Sequence, residues 1–146
     1  LLTCLEGLDS SGGITYFRGH DIVDSYHQLF SVRALYVMRE MDPIVVKWFE
    51  RSLNYFERTF IDSNGGVLVR TDRAFYDMIS SAEALRLCRL IGRADRYNSV
   101  LGHIRRDLTH RGRFVQRAWL TPIGRVHSRT VFTRQGLARL ALGLEP

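Results

Sequence analysis

Two polar residues near the start of an apolar helical segment have the types and spacing for acid–base chemistry. Asp24 and His27 are three residues apart, so on an α-helix they lie on one face. The amides of a helix N-terminus favour negative charge, and such a pair can serve as acid, base or sugar ligand. The alternative is that Asp24 caps the helix and His27 is a satisfied polar residue. Tyr26 and Phe30 are expected to pack in the core, although Tyr26 is also a candidate substrate contact.

A second pair of carboxylates opens a later helix. Asp77 and Glu83 lie in the first turns of a segment rich in small residues. Inverting glycosidases hold an acid and a base about 6.5–9.5 Å apart, a separation that Asp24 with Asp77 or Glu83 can reach across adjacent helices. The structural alternatives are that Asp77 is an N-cap and that Glu83 pairs with an arginine, for which the candidates are Arg33, Arg86 and Arg134.

The C-terminal third offers candidate substrate contacts of another kind. Trp119 falls between Gly112 and Thr133, where an aromatic side chain in a loop can stack on a sugar ring. Arginine forks suit carboxylates and phosphates, so a uronate, a sugar nucleotide or a nucleic-acid backbone could bind the arginines of this third, among which Arg129 and Arg134 are the candidate substrate contacts. A solvated outer face explains the arginines equally well. The arginines of this third are Arg105, Arg106, Arg111, Arg113, Arg117, Arg125, Arg129 and Arg134.

Length and composition indicate one globular domain. The chain has 146 residues, 45% of them hydrophobic and 25% charged, with a net charge of +6 that is carried by arginine because Lys47 is the only lysine. No apolar run is long enough for a membrane span. Cys4 and Cys88 lie far apart, and no Cys/His spacing or glycine-rich phosphate loop is present, so we expect no metal or cofactor and a reducing, cytoplasmic location.

Apolar periodicity and end signals predict five helices joined by short extended pieces. Asp42-Pro43 is a typical helix start, and Gly65-Gly66 a typical break. The predicted helices span about 21–41, 42–60, 77–92, 95–112 and 133–142, and the predicted extended pieces are 14–17, 67–70 and 114–117.

This order recurs with a period of about 50 residues, as two helices, a glycine turn and an extended arm. A single such hairpin cannot bury its apolar faces, so neighbouring hairpins must stack. The pattern predicts an all-α fold of helical-hairpin repeats, with helices starting at Asp21, Asp77 and Thr133 in an inner layer and those starting at Asp42 and Asp95 in an outer layer.

The same landmarks resemble a family. The segments are Asp24-x-Tyr26-His27-x-x-Phe30, then Tyr76-Asp77-x-x-Ser80-x-Ala82-x-Ala84, then Gln135-Gly136. Together they resemble (α/α) toroid proteins of bacterial polysaccharide biosynthesis, which are relatives of the six-hairpin glycosidases and of N-acylglucosamine 2-epimerase-like barrels. The resemblance implies that residues 1–146 form one helical-hairpin domain equivalent to the C-terminal half of a toroid. It also implies a carbohydrate ligand, and either missing N-terminal hairpins or a homo-oligomer.

Three functions follow as hypotheses. The first is a domain that processes or binds a carbohydrate in bacterial polysaccharide metabolism, with Asp24, His27, Asp77 and Glu83 as acid, base or sugar ligands. The second is a catalytically silent interaction domain, favoured by Ile79 and by Phe132-Thr133 at positions where the family pattern has other residues. The third is nucleic-acid binding through the arginine-rich C-terminal third, which ranks last because no recognition helix or aromatic platform is evident.

Overall fold

Within residues 9–15, 21–122 and 124–128, which the computed structural model describes, the chain forms four α-helices and six short β-strands. The helices are α1 (Ser25–Met38), α2 (Pro43–Thr59), α3 (Met78–Leu90) and α4 (Ala94–Asp107). The strands are β1 (Leu68–Arg70), β2 (Arg73–Asp77), β3 (Thr109–His110), β4 (Arg113–Phe114), β5 (Arg117–Thr121) and β6 (Gly124–His127). The predicted helix over 133–142 lies outside the described residues.

Aspartates define the starts of three helices. Asp24, Asp42 and Asp77 each have extended backbone, and each side chain accepts a hydrogen bond from an amide of the first turn. The first helix therefore begins at Ser25, four residues later than the predicted start at Asp21. Helix α4 has Arg93 at its N-cap position without a side-chain cap bond, and Asp95 lies inside its first turn.

The prediction of an all-α fold is wrong, because the chain also forms two antiparallel sheets. Four strands pair in the order β1-β2-β5-β6, and β3 pairs with β4. The register joins residues far apart in sequence, with Phe75 opposite Trp119 and Tyr76 opposite Ala118. These strands have two to five residues each, too short for period-two alternation to distinguish them from loops. The fold is mixed α/β.

The helices nevertheless pack as hairpins, with α1 against α2, α3 against α4, and α1 against α3. Equivalent turns accompany the hairpins. Asp9 accepts from the amides of Ser11 and Gly13, and Asp62 accepts from those of Asn64 and Gly66. Gly65 has φ of +82°, and a Cβ there would lie 2.3 Å from the carbonyl oxygen of Ser99 on α4. This turn therefore requires glycine.

The core lies between the helices and the inner face of the sheet. Its largest apolar members include Phe56 of α2, Phe60 at the C-cap of that helix, and Met78 and Leu85 of α3. Tyr76 of β2 is buried against this cluster, so the sheet covers the helical layer on one side. Among the described residues, no helix combines the length and the apolar character that crossing a membrane requires.

Candidate functional site

Asp24 holds both the backbone and the side chain of His27. One carboxylate oxygen, Oδ1, accepts from the His27 amide at 2.9 Å and so caps α1. The other, Oδ2, lies 2.6 Å from Nδ1 of the His27 imidazole. The side chain of His27 is 45% exposed and that of Asp24 is 21% exposed. A carboxylate next to Nδ1 orients the imidazole ring. Asp24 is thus the helix cap named from the sequence, and a chemical role for the pair stays a prediction.

Aromatic side chains lie next to this pair. The Tyr26 ring meets the His27 ring edge-on with centroids 5.7 Å apart, and it meets Phe30 at 4.8 Å. The Arg33 guanidinium lies 4.9 Å from the Phe30 centroid. The expectation that Tyr26 and Phe30 pack in the core is wrong, since they are 36% and 42% exposed. Helix α1 carries apolar residues on more faces than its described neighbours cover. The spacing of apolar residues alone therefore did not identify which face of the helix is buried.

Asp77 ends β2 and caps α3. Its Oδ1 accepts from the Ser80 amide at 2.7 Å, and in the sheet it lies opposite Arg117. Burial raises the pKa of Asp77, although the Ser80 hydrogen bonds and the Arg117 charge oppose that shift. Asp77 therefore has the cap role named from the sequence, and a catalytic role for it stays a prediction.

Glu83 forms one ion pair with a neighbouring helix and one within its own helix. Its two oxygens lie 2.9 Å from the guanidinium of Arg33 on α1 and 2.9 Å from that of Arg86 one turn along α3. With 13% of its side chain exposed, Glu83 is held between them. The geometry matches the structural alternative named from the sequence, and a catalytic role for Glu83 stays a prediction.

The two candidate acids belong to the same sheet. Asp24 forms an isolated bridge with Arg70 at the free edge of β1, while Asp77 is the last residue of β2, the next strand. Helices α1 and α3 leave from these positions and pack on each other. The sheet therefore anchors both helix N-termini, whereas their use as an acid–base pair stays a prediction.

Trp119 lies in a strand, close to Phe75, which sequence reasoning missed, and to Arg117, which it named only among the arginines of the C-terminal third. Trp119 of β5 is half-buried, and its ring centroid is 6.2 Å from that of Phe75 on β2. The exposed Arg117 has its guanidinium 5.3 Å from the Phe75 centroid. In the sheet, Phe75, Trp119 and Arg117 lie on one face, but strands of five residues are too short for their alternation to show this from the sequence.

A solved structure has this architecture. The chain superposes with a TM-score of 0.73 on a structure described as a novel alpha-amylase from Clostridium perfringens, at 11% sequence identity, over 98% of this chain and 48% of that one. The chain shares the fold of that part of the amylase. No family model matches the sequence, and no curated protein matches it significantly. The chain spans about half the length of the amylase chain, and at this identity the likeness concerns the fold alone.

The remaining candidates fall in different places. Arg129 and Arg134 lie outside the described residues. Among the other arginines, Arg106 pairs at 3.0 Å with Asp107, a carboxylate that is only 4% exposed and also lies 2.8 Å from Nδ1 of the buried His103. Within residues 9–15, 21–122 and 124–128, no group of three or more His, Cys, Asp or Glu side chains is arranged to hold a metal ion.

Proposed function

We propose that this chain is a carbohydrate-processing or carbohydrate-binding domain in which Asp24 and His27 act as one unit. The observation that carries the proposal is the 2.6 Å contact between Asp24 Oδ2 and His27 Nδ1 on a half-exposed imidazole. The fold likeness to an alpha-amylase supports a carbohydrate as the ligand. The earlier resemblance supports a role in bacterial polysaccharide metabolism.

In this proposal each side chain has a stated task. Asp24 fixes the imidazole so that Nε2 of His27 accepts a proton from water or from a sugar hydroxyl. Asp77 supplies a proton, because burial keeps its carboxyl group neutral to higher pH. Tyr26, which contacts His27 edge-on and is partly exposed, offers a ring on which a sugar can stack. Arg129 and Arg134 are proposed as further substrate contacts.

The functional unit is proposed to be larger than the described hairpins. The structural match covers 98% of this chain but only 48% of the amylase chain, so about half of the amylase has no counterpart in this chain. We therefore treat residues 1–146 as one domain equivalent to part of a larger carbohydrate-active protein. In this proposal, a partner chain or further helical hairpins would complete the carbohydrate site.

The test compares activity and binding across a carbohydrate panel. The chain is incubated with α-glucan and uronate oligosaccharides, product release is followed by chromatography, and binding by calorimetry. Asp24→Asn and His27→Ala are expected to reduce whichever signal is found by about tenfold or more. Glu40→Gln and His110→Ala, matched changes elsewhere on the surface, should leave it unchanged. Equal signals in all five proteins would refute the assignment.

A second candidate, a catalytically silent interaction domain, is favoured by exposed apolar residues on one side of α1. Among the described residues, Phe30 and Val37 of this helix are 42% and 67% exposed, and Met41 just beyond its end is 77% exposed. Aligning the Asp24 and Asp77 caps makes Phe30 equivalent to Glu83 and Val37 equivalent to Leu90, and both of these residues contact α1. This side of α1 is therefore suited to a further helix, which in this candidate belongs to a second copy of the chain.

The two candidates differ in oligomeric state. Light scattering of the purified chain should report a dimer for the interaction domain, and Val37→Ser combined with Met41→Ser should return it to a monomer. A monomeric wild-type chain at high concentration would eliminate this candidate.

A further inference from the structure

We propose that the outer face of the four-stranded sheet is a binding subsite for an acidic sugar, such as a hexuronate unit. The subsite, called here the sheet platform, consists of Phe75, Trp119 and Val126 with Arg117 beside them. This inference rests on the proposed function and specifies its substrate class. It assigns a role to Phe75, which neither the sequence patterns nor the fold likeness identifies, and it selects Arg117 from the arginines of the C-terminal third.

Strand register brings the apolar members together. Phe75 of β2 lies opposite Trp119 of β5, and Trp119 lies opposite Val126 of β6. Residues directly opposite in antiparallel strands share a sheet face, so the three side chains form one strip across three strands. The neighbouring residues Tyr76 and Ala118 point to the other face and are buried in the core.

The strip is accessible to solvent. Val126 is 48% exposed, and Phe75 and Trp119 are each partly exposed. The planes of the two rings are inclined by 31°, with centroids 6.2 Å apart. Two neighbouring, partly exposed rings offer an apolar surface on which the C–H face of a pyranose can pack.

One cation borders this surface. Arg117 lies on the same face as Trp119, two residues earlier in β5, with its guanidinium 5.3 Å from the Phe75 centroid. Among the ion pairs of residues 9–15, 21–122 and 124–128, none involves Arg117, although Asp77 opposite attracts it at longer range. Packing on the ring restricts the side chain, while the N–H groups in the guanidinium plane can still donate to a carboxylate.

A uronate matches this arrangement better than the other ligands with similar chemistry. It carries an apolar C–H face and a carboxylate on one ring, which fit the aromatic pair and the guanidinium together. A neutral sugar would use only the rings. Single-stranded nucleic acid would use several cations along its backbone. The exposed Arg73 lies 4.0 Å from Asp72, whereas Arg117 is the described arginine that packs on the Phe75 ring. The net charge of +6 favours an anionic ligand in general.

The experiment titrates the full chain with tetragalacturonate and, in parallel, with its neutral methyl ester. Trp48→Phe leaves Trp119 as the single tryptophan, so fluorescence reports on the sheet platform. We expect saturable binding of the acid and about tenfold weaker binding of the ester, since a charge-assisted hydrogen bond is lost. Arg117→Gln should weaken acid binding about tenfold and leave ester binding unchanged. Arg113→Gln, an exposed arginine in the other sheet, is the matched control.

Changes to the rings test the stacking surface. Phe75→Leu and Trp119→Leu keep apolar strand residues and the fold, which circular dichroism verifies, and they should weaken acid and ester by similar factors, about fivefold. The Trp119 variant is followed by calorimetry because it lacks the reporter.

Several outcomes would overturn the inference. These are equal affinity for acid and ester, wild-type affinity of Arg117→Gln, or tighter binding of oligothymidylate than of tetragalacturonate with the same dependence on Arg117. If any of them occurs while Asp24→Asn still abolishes carbohydrate binding or turnover, the sheet platform fails and the proposed function stands. If no carbohydrate binds or reacts, the proposed function fails first.

Discussion

Replacing Asp24 separates its role as helix cap from its contact with the His27 ring, because asparagine can still cap the helix whereas alanine can do neither. Asparagine caps helices as well as aspartate does, so Asp24→Asn should change the free energy of unfolding by only a few tenths of a kcal/mol. Asp24→Ala should cost about 1 kcal/mol. The contact with His27 Nδ1 joins side chains that are 45% and 21% exposed, so water screens it and it adds well under about 1 kcal/mol to stability. It orients the imidazole, however, and both variants remove that restraint, so both should lose about tenfold or more in carbohydrate turnover or binding.

Asp42 provides a matched control, since its carboxylate accepts from the Ile44 amide and caps α2 without touching a histidine. Asp42→Asn and Asp42→Ala should repeat the stability changes and leave function unchanged. Urea denaturation measures stability, and ¹⁵N shifts of the His27 ring nitrogens report which one carries the proton. If Asp24→Asn kept both the wild-type ring shifts and full function, the reasoning that Asp24 orients His27 would be refuted.

Three further predictions concern the framework. Gly65→Ala should lower the free energy of unfolding, measured by urea denaturation, by at least about 2 kcal/mol, because the new Cβ would clash with the Ser99 carbonyl. Gly92 has a similar φ but open space around it, so Gly92→Ala should lower the same quantity by only about 1 kcal/mol. Equal losses in the two variants would contradict this. Glu83→Gln should lower stability by about 1 kcal/mol without changing carbohydrate binding, and a loss of binding would instead support a catalytic Glu83. Burial acts to raise the pKa of Asp62, but hydrogen bonds from Tyr76 and Gly66 outweigh burial and lower the pKa. The stability that ionised Asp62 contributes is complete above about pH 4 and is lost as the pH falls through the folded-state pKa. Asp62→Asn should therefore flatten the acid side of the plot of unfolding free energy against pH, and an unchanged acid side would exclude this.

The helix starts at aspartate caps were predictable because their signals are local, whereas the helix predicted over 95–112 ends at Asp107 and β3 follows it. Asp42 with Pro43 predicted α2 within a residue, and Asp77 predicted the start of α3, since a cap acts on amides two or three residues away. The candidate acids Asp24 and Asp77 were found through this same signal. That is why chemical and structural explanations competed at both positions.

The sheet was not predictable from local pattern. Phe75 and Trp119 are adjacent in space but belong to strands of five residues separated by two helices, so their pairing depends on tertiary contacts. The side of α1 that carries Tyr26 and Phe30 was assigned wrongly for a related reason. Apolar residues on most faces of a helix do not identify which face its neighbours cover.

The most direct test of the central claim is an NMR titration of the chain with the oligosaccharide that binds best, following the imidazole signals of His27. The account predicts that these signals shift along a saturable curve with the dissociation constant found by calorimetry, and that Asp24→Asn abolishes this shift. Saturable carbohydrate binding that leaves the His27 signals unmoved would contradict the claim that Asp24 and His27 form the site.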